Sequence, residues 1–472
     1  MNSTKGYKIG LISLVLLITV SIDSVRNLPS TALFGPPLIF LYLVSSLFLL
    51  IPGSIAASEL AYAWPEKGGI YQWVTLGLGK RIGFMAVWGQ WINTLVWFPT
   101  ILSFVAGSVA YLIEPNLANN SHFMVAGTLI FCWLLTMISL FGFKISSRFA
   151  VYCSLFGLIL PMGFIIVLAI IWMATGKPLQ VHFSSQSIIP SFHSLNDWFS
   201  LVAIMTSFEG FELVAVHMAN LKDPKRNYPK AMFFSVILIL FTMVMGSLAI
   251  AIVIPSISIV FVQGVAQAFG AFLDTYHLQA LLPILVILMI FGNLGEMINW
   301  LAAPARGMFQ ASDDGFLTQG FRRPNRFGAE KNVLILQAVI VSVISLVFLL
   351  IPTINGAYWF LTNLSVEIYM LVYLLLFIAA IIIEFKHPKR DYLYGVFQRN
   401  RWLLLGVYAM GVIGCIVTLV IGAIPPTNIN IGSVSFYQML FWVGIVICML
   451  PILPLYYYQY RKSKQQAVVQ QA

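Results

Sequence analysis

Acidic side chains interrupt several long apolar stretches of the chain. They are Asp23, Glu59, Glu209, Glu212, Glu296 and Glu367, and Arg26 lies in the first of the same stretches. A charge at the centre of a bilayer costs about 2.5–3.5 kcal/mol on insertion scales, so such residues mark sites where something polar is bound or carried. The pattern predicts a polar, partly hydrated cavity inside an otherwise apolar bundle.

Two of these clusters also contain residues that interrupt a helix. The first, residues 21–29, reads SIDSVRNLP, and its proline cannot donate a helical N–H. The second, residues 207–212, reads SFEGFE and places a glycine between two acids. Non-helical backbone at membrane depth is tolerated only where it is buried in protein or lines a water-filled cavity. The free N–H groups suit a carboxylate and the free carbonyl groups suit an ammonium, so the two breaks predict a site for a small zwitterion.

The elements that must position these groups are membrane-spanning helices. Of the 472 residues, 60% are hydrophobic and 9% are charged, against about 25% charged in soluble proteins. Apolar segments cover about residues 9–33, 36–61, 82–112, 122–142, 149–173, 197–220, 229–254, 278–305, 332–351, 357–384, 401–423 and 433–459. This pattern predicts an all-α polytopic membrane protein with 12 transmembrane helices.

The basic residues predict the orientation of these spans. An even number of spans puts both termini on one side, and 24 of the 26 Lys and Arg residues fall on that side. The positive-inside rule therefore predicts cytoplasmic termini and a multi-pass protein of the bacterial inner membrane. The formal net charge of +10 follows from this topology, so the lipid bilayer is an expected partner and nucleic acid is not.

The two predicted breaks occupy corresponding positions in two five-helix groups. These groups are residues 9–173, with a broken helix 1, and residues 197–384, with a broken helix 6. Because five is odd, the second repeat must be inverted, and paired broken helices in inverted repeats are typical of a transporter's midplane site. Residues 401–459 add helices 11 and 12, and residues 460–472 form a short cytoplasmic tail.

Several motifs resemble the amino acid–polyamine–organocation transporter superfamily. They are residues 65–74 (PEKGGIYQWV), the Gly210-Phe211-Glu212 break and residues 223–229 (DPKRNYP). Glu296, Met297, Trp300 and residues 304–308 (PARGM) are most similar to the bacterial glutamate/GABA antiporter branch, as are Tyr369, Tyr373 and residues 386–388 (KHP). The resemblance implies the leucine-transporter-like fold, in which spans one and six hold an amino acid and alternating access exchanges it. It also implies Na⁺-independent transport.

Together, the breaks and the resemblance give a candidate site. Its substrate-binding residues are Asp23, Ser24, Arg26, Asn27, Ser207, Phe208, Glu209, Gly210, Glu296 and Trp300. The candidate coupling or gating residues are Glu212, Glu367, Tyr369, Tyr373 and His217. The expected partner is a small amino acid, no cofactor or metal is expected, and the oligomeric state is left open.

Some of these residues have two interpretations. Arg26 clamps a substrate carboxylate, or it pairs with Asp23 or Glu209. Glu212 braces the break, or it shares a proton with Glu209, which itself contacts either the substrate or a proton. His217 senses acid pH or is an ordinary core histidine.

The later spans leave similar alternatives. Glu296 and Trp300 are four residues apart and share a helix face, which meets either the substrate side chain or a neighbouring helix. Tyr369 and Tyr373 share another face and either gate the cavity or pack, whereas Glu367 points elsewhere.

Two further expectations concern packing. The tryptophans of the third span, Trp88, Trp91 and Trp97, are interpreted as packing residues. Glu59, near the inner end of the second span, is expected to pair with a basic loop.

The expected function is amino acid antiport of the glutamate/GABA type. The alternatives are a proton-coupled amino acid permease and an exchanger of cationic amino acids or polyamines, the latter motivated by the excess of membrane acids over Arg26. A membrane enzyme or receptor is disfavoured, because the sequence has no H-E-x-x-H, G-x-S-x-G, P-loop or paired metal-ligand motif.

Overall fold

The computed structural model describes the chain apart from residues 1–9, 65–68, 142–151, 154, 191–200, 202, 214–220, 318–324, 326–330, 423, 425–428 and 472. Helices dominate, and the described residues contain no β-strand. The helices are α1 (Leu11–Ile22), α2 (Leu28–Ala32), α3 (Leu38–Ser45), α4 (Ile51–Ala63), α5 (Ile70–Leu78), α6 (Lys80–Ile113), α7 (Ser121–Ser139), α8 (Leu160–Ala174), α9 (Ser185–Ile188), α10 (Pro224–Val253), α11 (Gly264–Thr275), α12 (Leu282–Asp313), α13 (Lys331–Ile344), α14 (Val347–Leu350), α15 (Ile354–Lys386), α16 (Gly395–Arg399), α17 (Arg401–Ile421), α18 (Val434–Met449) and α19 (Ile452–Gln471).

Eleven helical segments among the described residues are long and apolar enough to cross a membrane. They coincide with eleven of the twelve predicted spans, and of the remaining one, residues 197–220, the structure describes only residues 201 and 203–213. Exposed apolar side chains cover their outer faces, among them Ile130, Phe233, Ile237, Trp442 and Val446. Lipid tails are the compatible solvent for such faces, so the expected all-α polytopic membrane protein is confirmed.

The third span, α6, lies at the centre of the bundle. It has the largest buried share of the candidate spans, 78%, and packs against α12 and α15. Gly157 and Gly292 let the fifth and eighth spans approach closely, because a Cβ atom on either glycine would overlap with the backbone of the other. Lipid removes the hydrophobic driving force between helices, so close van der Waals packing through small residues stabilises such crossings instead.

A buried ion-pair network joins the end of α4 to the loop after α15. The Arg390 guanidinium donates to Glu59 at 3.0 Å and also to Glu384, while Glu59 accepts the backbone N–H groups of Leu393 at 3.3 Å and Tyr394 at 3.2 Å. Burial alone would lower the pKa of Arg390, but neighbouring groups, including the two carboxylates, raise it. The expectation that Glu59 pairs with a basic loop is confirmed.

Candidate functional site

The first span is interrupted between α1 and α2. Asp23 and Ser24 are extended, with ψ of 131° and 128°, and Val25–Asn27 form one 3₁₀ turn before α2 begins. Pro29 lies in the first turn of α2, where its missing N–H breaks no helical hydrogen bond. The chain therefore leaves helical geometry at the polar residues of the first cluster.

The second cluster forms another break that contacts the first. Thr206–Phe208 form a 3₁₀ turn, Glu209 is extended with ψ of 146°, and Gly210 has φ of +107°. A Cβ atom at Gly210 would overlap with the carbonyl oxygen of Ser21. Both the positive φ and this contact require glycine, so Gly210 brings the two interrupted segments together.

Glu212 is held by three donors. Its Oε1 accepts hydrogen bonds from Gln90 Nε2 at 3.0 Å and from the Tyr369 hydroxyl, and its Oε2 accepts from the Tyr373 hydroxyl at 2.8 Å. The Tyr373 oxygen also accepts the Gly210 N–H at 2.7 Å. These contacts fit the interpretation in which Glu212 braces the break, and they place both tyrosines against it.

Arg26 is buried among neutral partners. One guanidinium nitrogen donates to the hydroxyls of Thr100 and Tyr358, each at 3.1 Å, and the guanidinium carbon lies 4.7 Å from the Trp97 ring centroid. Its Nε has no hydrogen-bond partner, and Arg26 forms no ion pair within 4.0 Å with any residue that the structure describes. The positive charge is therefore free of the close Asp23 pairing that the sequence left open.

The acids of the first break and of α12 have other partners. Asp23 accepts a hydrogen bond from the Thr242 hydroxyl at 2.5 Å, which ties the break to α10. Ser24 donates to Glu296 Oε2 at 2.8 Å, which ties it to α12. Arg26 interacts electrostatically with Glu296 at longer range. The non-helical segment thus contains a positive group, Arg26, and contacts a negative one, Glu296.

Aromatic rings line the route from Arg26 to the second break. The centroid distances are 5.1 Å for Trp97 and Trp300, 5.7 Å for Trp300 and Tyr369, and 4.6 Å for Tyr369 and Tyr373. Phe211 stacks on Tyr373 at 4.4 Å. Trp97 therefore does more than pack, because one ring of this row lies beneath the Arg26 guanidinium.

Three buried carboxyl groups keep an oxygen without a hydrogen-bond partner among the described residues: Asp23 (Oδ1), Glu209 (Oε1) and Glu367 (Oε1). Glu209 is 7% exposed and Glu367 is 3% exposed, and in each the Oε1 atom is unpaired. Asn93 lies beside Glu209, and the Glu209 and Glu367 carboxyls interact electrostatically. Glu367 lies against Gly422 at the end of α17, on a different side of α15 from Tyr369.

A small cavity, here called the outer cleft, lies beside the first break. It is lined by Asn27, Ser30, Ala203, Thr206, Tyr358, Trp359, Thr362 and Asn363. These residues come from the first break and α2, from residues 203–206 ahead of the second break, and from the first turns of α15, all of which the predicted topology places toward the external side. Its lining includes Asn27 of the first break and Thr206 of the turn that precedes Glu209.

The remaining predicted residues are less central. Ser207 and Phe208 are buried, and the Phe208 ring packs on Tyr42 of α3 at 5.8 Å. His217 lies outside the described residues. Within the described ranges, no group of three His, Cys, Asp or Glu side chains is arranged to hold a metal ion.

Sequence reasoning missed four neutral polar neighbours of the breaks. They are Gln90, Asn93, Thr100 and Tyr358, which lie on α6 and α15. The sequence could have indicated them, because a neutral polar side chain inside an apolar span also costs free energy to bury and therefore needs a polar partner.

Comparisons with known proteins identify the family of the chain. A family model described as amino acid permease matches residues 9–447. An uncharacterized transporter of Legionella pneumophila is 36% identical, over 95% of this chain and 96% of its own length. A glutamate/gamma-aminobutyrate antiporter of Lactococcus lactis is 28% identical, over 96% of this chain and 90% of its own. A probable agmatine/putrescine antiporter of the same species is 22% identical, over 89% of this chain and 88% of its own. The chain belongs to the amino acid permease family.

Proposed function

We propose that this permease is an amino acid antiporter of the bacterial inner membrane, with both termini in the cytoplasm. The observation that carries the proposal is the contact between the two breaks, where Gly210 packs on the Ser21 carbonyl. Two interrupted helices that meet at membrane depth offer unpaired backbone groups to a zwitterion. Glutamate/GABA exchange by a relative supports the antiport mode.

Arg26 is the group proposed to select the substrate's charge. Its guanidinium has hydroxyl and aromatic neighbours rather than a close carboxylate, so its charge remains available to a substrate carboxylate. Arginine presents a planar fork of donors that matches a carboxylate in two parallel hydrogen bonds. An acidic or neutral amino acid is the substrate class that this arrangement favours.

The conformation fits one stage of alternating access. Asp23, Arg26 and Glu209 are at most 7% exposed, and the small outer cleft adjoins the breaks. Closure around a substrate excludes water and strengthens each polar contact with it. Rocking of the interrupted segments against α6, α10 and α12 would then open the opposite side.

Counterflow in proteoliposomes tests the proposal. Vesicles loaded with unlabelled glutamate, GABA or arginine receive the same labelled amino acids outside, and each combination is measured. Antiport predicts uptake that requires a suitable internal amino acid. Uptake that is indifferent to the internal solute would contradict exchange and favour a permease.

A cationic substrate is the second candidate. Glu209 has an unpaired oxygen beside the second break, and a carboxylate there could receive an ammonium or guanidinium group. The name of one relative, a probable agmatine/putrescine antiporter, indicates transport of such cationic compounds by that protein. Preferential counterflow of arginine or putrescine over glutamate would favour this alternative.

A further inference from the structure

A second cavity, here called the basic cavity, lies at the end of the bundle that the predicted topology places in the cytoplasm. Its volume is about 600 Å³, within the range of small-molecule sites. The end of α4, the first turn of α10, and the end of α15 with the segment after it form the lining, which consists of Tyr62, Ala63, Trp64, Lys225, Lys386, His387, Pro388, Lys389, Arg390 and Asp391. None of these residues lines the outer cleft or belongs to either break, so the basic cavity is separate from the proposed substrate site.

Positive charge predominates in this lining. Four of its residues are Lys or Arg, and Asp391 is the one acid among them. Arg390 is already paired with Glu59 and Glu384, whose side chains are at most 1% exposed. The three lysines have no carboxylate within 4.0 Å among the residues that the structure describes. Their charges therefore remain available to an anion that enters the cavity.

Two of the lysines are positioned by neighbouring groups. Lys225 Nζ lies 5.2 Å from the centroid of the Tyr62 ring, and Lys386 Nζ donates to the Gly77 carbonyl at 2.7 Å. An ammonium group has three N–H donors, so Lys386 keeps two, and the ring contact of Lys225 uses its charge rather than a donor. Lys389 lines the same cavity three residues after Lys386. The cavity thus collects charged donors from two distant parts of the chain, which is what recognition of a phosphate group requires.

Aromatic side chains border the same region. The rings of Trp64 and His387 meet edge to face, with centroids 5.7 Å apart. Phe385, next to Lys386, is 55% exposed, and Trp402 at the start of α17 is 70% exposed. Exposed aromatic rings at the ends of spans are typical of the membrane–water interface, where basic pockets between helices bind lipid headgroups. A lipid headgroup and a soluble phosphate compound would present the same phosphate group to these lysines.

We propose that the basic cavity binds a phosphate-bearing anion that joins the inner ends of α4 and α10 to the segment after α15. The phosphate oxygens accept hydrogen bonds from Lys225, Lys386 and Lys389. Because these groups belong to separate helices, the bound anion stabilises their packing. The inference goes beyond the proposed antiport and does not depend on it, since binding is measured without transport.

Thermal unfolding of the purified full-length protein tests this binding. Inorganic phosphate is titrated at constant ionic strength in a neutral detergent, and a second series uses mixed micelles with phosphatidic acid or, for comparison, zwitterionic phosphatidylcholine. We expect a saturable rise in unfolding temperature. Lys225→Gln/Lys389→Gln should increase the concentration needed for half of that rise by about tenfold. The matched control Lys222→Gln/Lys230→Gln removes two exposed lysines outside the lining and should change it by less than about twofold.

The two series also identify the source of the phosphate. A rise with inorganic phosphate in neutral detergent supports a soluble ligand, and a rise with phosphatidic acid alone supports a lipid headgroup. No rise in either series would overturn the proposal. An equal loss in the two double variants would also overturn it, because the effect would then arise from surface charge in general.

Covalent labelling of wild type covers the case in which Lys225→Gln/Lys389→Gln does not fold. Pyridoxal 5′-phosphate followed by borohydride labels lysines beside phosphate sites, and mass spectrometry locates the label. Label on Lys225, Lys386 or Lys389 that phosphate or phosphatidic acid prevents, while label on Lys222 persists, supports the proposal. Label on these three lysines that neither compound reduces, or no label on any of them, would overturn it.

Discussion

Ser24 donates a 2.8 Å hydrogen bond to Glu296, and this contact joins the interrupted first span to the middle of α12. Glu296 also interacts electrostatically with Arg26, two residues along the break from Ser24. In the proposed function, where Arg26 receives a substrate carboxylate, the Glu296 carboxylate competes with that substrate group for the same positive charge. We therefore expect the Ser24–Glu296 contact to position a group that sets how strongly the proposed site attracts acidic substrates.

We expect Glu296→Gln to favour acidic substrates. The amide oxygen still accepts the Ser24 hydroxyl, but the negative charge near Arg26 is lost. A change of about 1 kcal/mol would tighten glutamate binding about fivefold relative to GABA. Thermal-shift titration with both amino acids measures the ratio. Glu296→Asp keeps the charge and is the matched control, and an unchanged ratio in Glu296→Gln would show that Glu296 serves only as a helix contact.

Arg26→Ala is expected to abolish binding of acidic substrates. The variant removes a buried cation that would pair with a substrate carboxylate. Losing one partner of such a pair typically weakens the binding free energy by about 2–5 kcal/mol. Arg26→Lys keeps the charge but not the planar fork, so its binding should be intermediate. Size-exclusion profiles report folding and titration reports affinity. Wild-type glutamate affinity in a folded Arg26→Ala would assign the residue a structural role.

Gly210→Ala is expected to prevent transport. Its Cβ would overlap with the Ser21 carbonyl, and its backbone would be held at a φ that alanine rarely adopts. Counterflow should fall by about tenfold or more, since such strain typically costs about 1–3 kcal/mol. Gly163→Ala on α8 is the matched control, because its Cβ would meet nothing within 4 Å. Equal counterflow in both variants would show that transport does not depend on the close contact between Gly210 and Ser21.

The spans and breaks were predictable because their signals are local. Long apolar runs, Pro29 and Gly210 act on their own segments of chain, and a charge such as Glu209 is costly wherever it is buried. The partners of these residues were not predictable in the same way. Glu212 meets Tyr369 whereas Glu367 meets the end of α17, and both outcomes depend on how separate helices pack and rotate. Sequence spacing gives the face of one helix, but not the neighbour that the face meets.

We expect Arg390→Ala to destabilise the protein without acting at the substrate site. The variant leaves Glu59 and Glu384 buried without their cation, and Arg390 itself is only 4% exposed in its side chain. Removing one partner of a buried pair typically costs about 3–5 kcal/mol. Thermal unfolding in detergent measures the loss, with the exposed Arg399→Ala as the control. Equal unfolding temperatures would show that the network contributes little.

The last prediction concerns the pH dependence of an ion pair beyond the end of α12. Asp314 accepts hydrogen bonds from Lys80, at 2.6 Å, and from the Tyr71 hydroxyl. Partial burial acts to raise the pKa of Asp314, but these two donors outweigh it and hold the pKa below the ordinary value of 3.8.

A lowered pKa makes the ionised form more favourable in the folded protein than in the unfolded chain. The stabilisation is therefore complete above the unfolded value of 3.8 and is lost as the pH falls through the lower, folded value. Lys80 is 63% exposed in its side chain, so solvent screening limits the contribution to less than about 1 kcal/mol. Asp314→Asn should lower the unfolding temperature slightly and equally between about pH 7 and pH 5, and the difference should shrink near pH 3. The exposed Asp274→Asn is the control, and a difference that grows on acidification would contradict the assigned direction of the pKa shift.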